Sequence, residues 1–267
     1  MENILLLVHQ DTGQEARLQA ALDATRAVKG HLTCADVSVM PVMADDYIGS
    51  MGTAMLLEDE RTREAENRTN LEARLAGEQV TWDWIDLIGE IAQKLTDVSS
   101  LADLIVVNRK LDRGMLPDML TVASEVVLKS GRPILAVPEN GRGCNFNGNA
   151  LVCWDGSAAS TSAMRAAVPL LKLATNVTLL EVVDGSIKAP AEEAATYLSR
   201  HDIHPVIERR TVLQGQAAEA IGAEIRRRHI DYVVMGGFGH FRFIESLLGG
   251  VTRSMLSSCP VPLFLAH

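Results

Sequence analysis

HIDYVVMG, at residues 229–236, is an apolar segment that resembles LADLIVVN at residues 101–108 in the other half of the chain. Two further pairs follow the same order in each half. NILLLVHQDTGQ (3–14) resembles NALVCWDGSAAS (149–160), and RPILAVPE (132–139) resembles VPLFLAH (261–267). A period of about half the chain indicates a duplicated domain rather than a solenoid. The Gly- and Asn-rich segment 138–149 between the copies is typical of a linker. We therefore predict two domains, at residues 1–138 and 149–267.

Each copy alternates short apolar runs with helical patterns. In the second copy the patterns predict strands at 150–154, 177–183, 205–213, 230–235 and 262–265, and helices at 160–173, 191–199, 216–228 and 251–258. Continuous apolar strands separated by helices are typical of a parallel sheet covered on both faces. The predicted fold class is α/β, with two doubly wound five-stranded parallel sheets. Such sheets bind ligands at the carboxyl ends of their strands.

The first copy has a longer segment after its second predicted strand. Residues 45–55 are interpreted as a loop, and the charged stretch 56–77 as a helix with a solvated face.

Composition and charge exclude several classes of protein. The formal net charge of −9 argues against a general nucleic-acid binder, which would need a basic face. The apolar run at residues 4–8 is too short for a signal peptide, and no stretch approaches the roughly 20 apolar residues that span a bilayer. The four scattered cysteines form no CxxC pair, which favours a reducing compartment. We expect a cytoplasmic protein without membrane insertion.

The segment GGFGHFRFIESLLGGVT, residues 236–252, follows a predicted strand and leads into a predicted helix. The start of a helix has unpaired N–H groups and a favourable dipole, which together attract phosphate. His240 and Thr252 would add hydrogen bonds, and Arg242 would add positive charge. Spacing alone leaves open the alternative that the glycines only permit two tight turns.

Asp155 ends the first strand of the second copy. At that place a carboxylate accepts hydrogen bonds from ribose hydroxyl groups. The alternative is that Asp155 caps the following helix, and the two roles can coexist. The two histidines of HDIH (201–204) have no third ligand nearby in sequence, so we interpret them as a solvated helix end and predict no metal site there.

These residues resemble the universal stress protein family in its tandem form, with two domains in one chain, and the resemblance covers essentially the whole sequence. The family motif is G-x-x-G, nine residues, then G-[S/T]. Gly236, Gly239 and Gly249 match it, whereas Gly250 stands where Ser or Thr is usual. The resemblance implies that the strand ends bind ATP, with Mg²⁺ as the accompanying ion. The residues it implies as contacts to ribose, adenine and phosphate are Asp155, Val182, Met235, Gly236, Gly239, Gly249, Gly250 and Val251.

The resemblance also implies that the halves pair through their last strands as an intrachain pseudo-dimer, with 132–137 beside 261–265. Whether two chains pair further as a homodimer stays open.

Two departures from the family pattern modify this expectation. Gly250 removes one hydroxyl hydrogen bond, worth about 1 kcal/mol, so we expect weaker ATP binding but not its loss. In the first half, His9 replaces the aspartate, and Asn108, Leu111 and Leu120 stand near or at the glycine positions. We therefore predict that the first half does not bind ATP in the family manner.

The predicted function is a stress-response regulatory protein that binds ATP in its C-terminal domain, with no assigned catalytic residue. One alternative is a slow ATPase, for which His240 and Arg242 are the nearby candidates. The other is a nucleotide-free scaffold that binds a protein or an apolar small molecule through the N-terminal half.

Overall fold

The structure is a computed structural model that describes residues 1–39, 50–111, 118–238 and 250–267, with side chains described throughout these ranges except at 50–61. In the first half, apolar runs form the strands β1 (Asn3–Val8), β2 (His31–Ser38), β3 (Thr81–Ile88), β4 (Leu104–Lys110) and β5 (Ile134–Pro138). They alternate with the helices α1 (Gln14–Val28), α2 (Ser50–Leu75), α3 (Ile91–Val98) and α4 (Met119–Ser130), and a short 3-10 turn, Ser99–Leu101, follows α3.

The second half repeats this order. Its strands are β6 (Asn149–Trp154), β7 (Asn176–Val183), β8 (Val206–Thr211), β9 (Tyr232–Gly236) and β10 (Leu263–Ala266). Its helices are α5 (Ala158–Leu171), α6 (Ala191–Ser199), α7 (Ala217–Arg227) and α8 (Gly250–Ser258). Every strand and helix predicted for this half is confirmed, with bounds within two residues at each end.

The ten strands form one sheet in the order β3-β2-β1-β4-β5-β10-β9-β6-β7-β8. Neighbouring strands are parallel within each half, whereas β5 and β10 are antiparallel, with Leu135 opposite Phe264 and symmetric pairs on either side. The segments 132–137 and 261–265 are therefore neighbours, as predicted. The predicted α/β fold class is confirmed, with five parallel strands in each half, but the two sets join as one sheet. The symmetric register at their junction is consistent with the predicted intrachain pseudo-dimer.

Helices cover both faces of the sheet. Buried side chains of α1, α2, α5 and α6 form one apolar core with the sheet, and those of α3, α4, α7 and α8 form the other. The two halves also share a detail at their strand starts. Asp103 Oδ2 accepts from the backbone N of Asn3 at 3.0 Å, and Asp231 Oδ2 accepts from that of Asn149 at 2.7 Å. These aspartates join equivalent strands, β1 with β4 and β6 with β9, as expected of a duplicated domain.

The segment after β2 differs in part from its prediction. The predicted loop 45–55 is helical from Ser50 onward, because α2 begins there, and residues 45–49 lie outside the described part of the chain. The solvated helix face is present, but the last turns of α2 also bury Leu71 and Leu75 against the sheet. In the described ranges, no helix combines the length and apolar character that crossing a membrane requires.

Candidate functional site

A pocket of about 260 Å³ opens at the carboxyl ends of β6, β7 and β9. The strand order of the second half changes direction between β6 and β9, and doubly wound sheets bind ligands at such a point. The first turn of α5 lies on one side of the pocket, and α7 and the start of α8 lie on the other. The lining consists of Cys153, Trp154, Asp155, Ser157, Ala159, Ser160, Leu180, Val182, Asp184, Ser186, Ala217, Ile221, Met235, Gly236, Phe238, Gly250, Val251 and Thr252.

The pocket brings together seven of the eleven residues that the sequence analysis proposed for the site. They are Asp155, Val182, Met235, Gly236, Gly250, Val251 and Thr252. The other four, Gly239, His240, Arg242 and Gly249, lie outside the described residues. For all eleven residues, contact with a nucleotide stays a prediction.

Several lining residues were missed by the sequence analysis. Ser157 and Ser160 follow Asp155, and Asp184 follows Val182, so their place just after a strand end was an available signal. Ala217 and Ile221 enter the lining only because α7 crosses to the opposite face of the sheet from α5, and their local sequence pattern carries no sign of this.

The turn after β6 positions the carboxylate of Asp155. Asp155 Oδ1 accepts a hydrogen bond from the backbone N of Ser157 at 2.9 Å. Ser157 is the N-cap of α5, and its Oγ accepts from the backbone N of Ser160 at 3.1 Å. The alternative that Asp155 itself caps the helix is therefore wrong. It holds the turn before the cap, and its side chain lines the pocket.

Gly236 is required by a close approach of two backbones. A Cβ on this residue would lie 2.5 Å from the carbonyl carbon of Ala159 and even closer to the backbone N of Ser160. The glycine therefore lets the first turn of α5 pack directly on the end of β9, rather than serving a tight turn. The left-handed backbone after the strand belongs to Phe238, with φ of 65° and a buried side chain.

The first described residues of α8, Gly250 to Thr252, line the pocket. The first backbone N–H groups of a helix have no partner within it, and the helix dipole makes this end positive. No described lining residue carries a positive side chain, so an anion at this place would depend on these backbone donors. Around Gly250, no atom of the described residues lies within 4 Å of the point where a Cβ would be.

Cys153 is not an activated nucleophile. Burial raises the pKa of its thiol far above the usual range, so the thiol stays protonated at neutral pH.

The equivalent place in the first half is filled by the chain itself. Strand register aligns Asn108 with Gly236, and the repeated sequence 3–14 and 149–160, continued by three residues, aligns Arg17 with Ala163. The side chain of Asn108 is fully buried and accepts a hydrogen bond from Arg17, which is also fully buried. Arg17 Nη1 donates to both carboxylate oxygens of Asp11 at 2.9 Å, and its Nη2 donates to the carbonyl of His9 at 2.7 Å. A polar network therefore occupies the crevice between β1 and β4.

The helix start of the first half is likewise satisfied internally. Asp118 is the N-cap of α4 and accepts from the backbone N of Leu120 at 3.2 Å and from Thr121 Oγ1 at 2.7 Å. A carboxylate of the chain thus accepts hydrogen bonds at the start of this helix. The prediction that this half does not bind ATP in the family manner is not tested by these contacts, but they supply a physical reason for it.

Residues 147–267 match the model of the universal stress protein family. No curated protein sequence matches the chain.

Solved structures resemble the whole chain. A universal stress protein from Archaeoglobus fulgidus DSM 4304 has a TM-score of 0.74 at 16% identity, and the match covers 99% of this chain and 95% of that one. A protein of unknown function from Pseudomonas aeruginosa PAO1 has a TM-score of 0.63 at 13% identity, covering 99% and 92% of the two chains. A provisionally assigned universal stress protein from Pseudomonas aeruginosa UCBPP-PA14 has a TM-score of 0.59 at 14% identity, also covering 99% and 92%. At these identities the likeness concerns the fold. Residues 147–267 therefore match the universal stress protein family, and the two halves of the chain together have the fold of these solved structures.

Proposed function

We propose that the second half binds an adenine nucleotide, ATP in particular, and that occupancy of this site regulates the protein in a stress response. The observation that carries the proposal is the order of chemistry across the sheet. Apolar side chains lie at the end of β7, a carboxylate at the end of β6, and the start of a helix beside β9. Base, ribose and phosphate follow one another in the same order in a nucleotide.

The base would lie against the apolar wall formed by Leu180, Val182 and Ile221. A flat, weakly hydrated ring fits such a wall, because burying apolar area is favourable and costs no unpaired polar group of the protein. The carboxylate of Asp155 would accept hydrogen bonds from the ribose hydroxyls, as acidic residues at strand ends do in other doubly wound sheets.

The phosphates would lie at the start of α8, near Gly250 and Thr252. Backbone N–H groups and the helix dipole attract negative charge without a basic side chain. Mg²⁺ would reduce the charge of the triphosphate. We do not propose hydrolysis, because its two candidate residues, His240 and Arg242, lie outside the described part of the chain.

Calorimetric titration of MgATP into the full chain tests the proposal. We expect one site per chain, because the equivalent crevice of the first half is filled. Asp155→Ala removes the ribose acceptor and should weaken binding by about tenfold. Asp97→Ala is the matched control, because Asp97 lies on α3 of the first half, where it pairs with Lys94. Absence of binding at millimolar MgATP to the folded protein would refute the proposal, and two sites per chain would refute the role given to the first half.

A further inference from the structure

Helix α8 connects the pocket to the other half of the chain. Its first residues, Gly250 to Thr252, line the pocket. At its other end, the carbonyls of Leu256 and Ser257 accept hydrogen bonds from Arg109 Nη1 at 3.2 and 2.6 Å. Arg109 belongs to β4 of the first half. The helix is about 14 Å long, so its two ends move together as one short rigid element.

The end of β4 directs the side chain of Arg109 towards α8. The register between β4 and β5 shifts between Asn108 and Lys110, which places Arg109 at an irregularity of the ladder. Irregularities of this kind redirect a side chain away from its regular position. Asn108, the preceding residue, is fixed by the buried network and also donates to the carbonyl of Gly13 at 3.3 Å. The filled crevice of the first half therefore holds the strand end that carries Arg109.

The charge of Arg109 suits the place where it lies. The carboxyl end of a helix is negative, and a cation there stabilises the helix and satisfies its last carbonyls. α8 has no basic residue in its own last turn, whereas α4, its counterpart, has Lys129. The position equivalent to Arg109 in the second half is Gly237, which has no side chain to offer α4. Among the described residues, it is α8, the helix beside the pocket, whose last carbonyls accept hydrogen bonds from an arginine of the other half.

We propose that Arg109 is a positioning residue for the nucleotide site, through which the first half holds the phosphate-binding helix of the second. This inference rests on the proposed function. It predicts a selective effect: loss of Arg109 loosens the donors at the start of α8, so it weakens the contacts to phosphate. The apolar wall and Asp155 belong to other elements, so contacts to the base and ribose remain.

Calorimetry with two probes, MgATP and adenosine, tests this selectivity on the full chain. Arg109→Gln should raise the Kd of MgATP by about three- to tenfold and change that of adenosine by less than about twofold. Arg109→Lys keeps the charge and should lie between Arg109→Gln and the wild type. Arg132→Gln is the matched control, because Arg132 also donates to a backbone carbonyl, that of Ser100 within the first half. It should leave both Kd values unchanged.

Three results would overturn the inference. Unchanged MgATP binding by folded Arg109→Gln would show that the helix does not need this anchor. Equal weakening of MgATP and adenosine would show a general structural role instead. If the wild type binds neither probe, the proposed function fails and this inference fails with it, an outcome that the wild type alone distinguishes from the other two. If Arg109→Gln does not fold, the same comparison is made with Arg109→Lys.

Discussion

Gly236→Ala is a direct test of the contact between β9 and α5. The new methyl group would lie 2.5 Å from the carbonyl carbon of Ala159 and 2.9 Å from the Cβ of the same residue. Normal contacts between carbon atoms are about 3.5–4.0 Å, so the start of α5 would have to move by about 1 Å. Backbone atoms form most of the obstacle, and no side-chain rotation relieves it. The adjacent Gly237 is the matched control, because a Cβ there would be 3.6 Å from its nearest neighbour, in Thr252.

The cost follows from what α5 packs against. Its inner face includes Ala163, Ala167 and Leu170, all fully buried in the core beside β9 and β10. Overpacking of a close-packed core costs about 1–3 kcal/mol, and a backbone obstacle places this substitution at the upper end. We expect Gly236→Ala to lower the free energy of unfolding by about 3 kcal/mol. Gly237→Ala should change it by less than about 0.5 kcal/mol.

Urea unfolding followed by circular dichroism measures both variants. The protein must be free of nucleotide, because a ligand that binds the folded state would mask the difference. Gly236→Ala should lower the midpoint urea concentration without changing the slope of the free energy against urea. The reasoning is refuted if Gly236→Ala has the stability of the wild type, or if both variants lose the same amount.

Four further predictions concern the site and the stability of the fold. Gly250→Ser adds a hydroxyl where no described atom lies within 4 Å of the new Cβ, so MgATP should bind about fivefold more tightly by calorimetry, and weaker binding would contradict the proposed phosphate side. Asp11→Ala leaves the buried guanidinium of Arg17 without its counter-charge, so it should lower the free energy of unfolding, measured with urea, by about 3 kcal/mol. Asp11→Ala combined with Arg17→Met should lower it by less than the sum of the two single changes. Burial disfavours the charged form of Glu224, but hydrogen bonds from three arginines outweigh burial and lower the pKa of Glu224 to about 2. The stability that the ionised Glu224 contributes is present above pH 4.5 and is lost as the pH falls towards 2. The melting temperatures of Glu224→Gln and the wild type should therefore converge near pH 2. Burial and two nearby carboxylates raise the pKa of Asp36 to about 7, so the stability that protonated Asp36 contributes is lost as the pH rises through 7. Between about pH 5 and 8, the free energy of unfolding should therefore fall less for Asp36→Asn than for the wild type.

The fold was predictable because its signals are local. The apolar residues of β9 and the Gly- and Asn-rich composition of the predicted linker at 138–149 are both visible in the sequence. The three pairs of similar segments identify the equivalent strands of the two halves. The pairing of β5 with β10 was predictable only through the family resemblance, because nothing in either strand states its partner.

The site was predictable at its strand ends and helix start, where residue type and position in the chain coincide. Contacts that depend on packing were not. The reason for Gly236 lies in how closely α5 approaches, and Asn108 fits its place only because Gly13 makes room for it. A Cβ on Gly13 would lie 2.6 Å from Asn108 Cγ. The reach of Arg109 to α8 likewise depends on the junction between the halves.

Because β5 and β10 belong to one chain, the protein is not subject to a constraint that applies to dimers of identical subunits. In such a dimer every substitution appears on both sides of the twofold axis, so neither copy can specialise alone. Here the partners are covalently joined, their association does not depend on protein concentration, and each position can change by itself. Arg109 and Gly237 occupy equivalent places and already differ in this way. One half can therefore have an open pocket at its strand ends while the buried contact of Asn108 with Arg17 lies at the equivalent place in the other half.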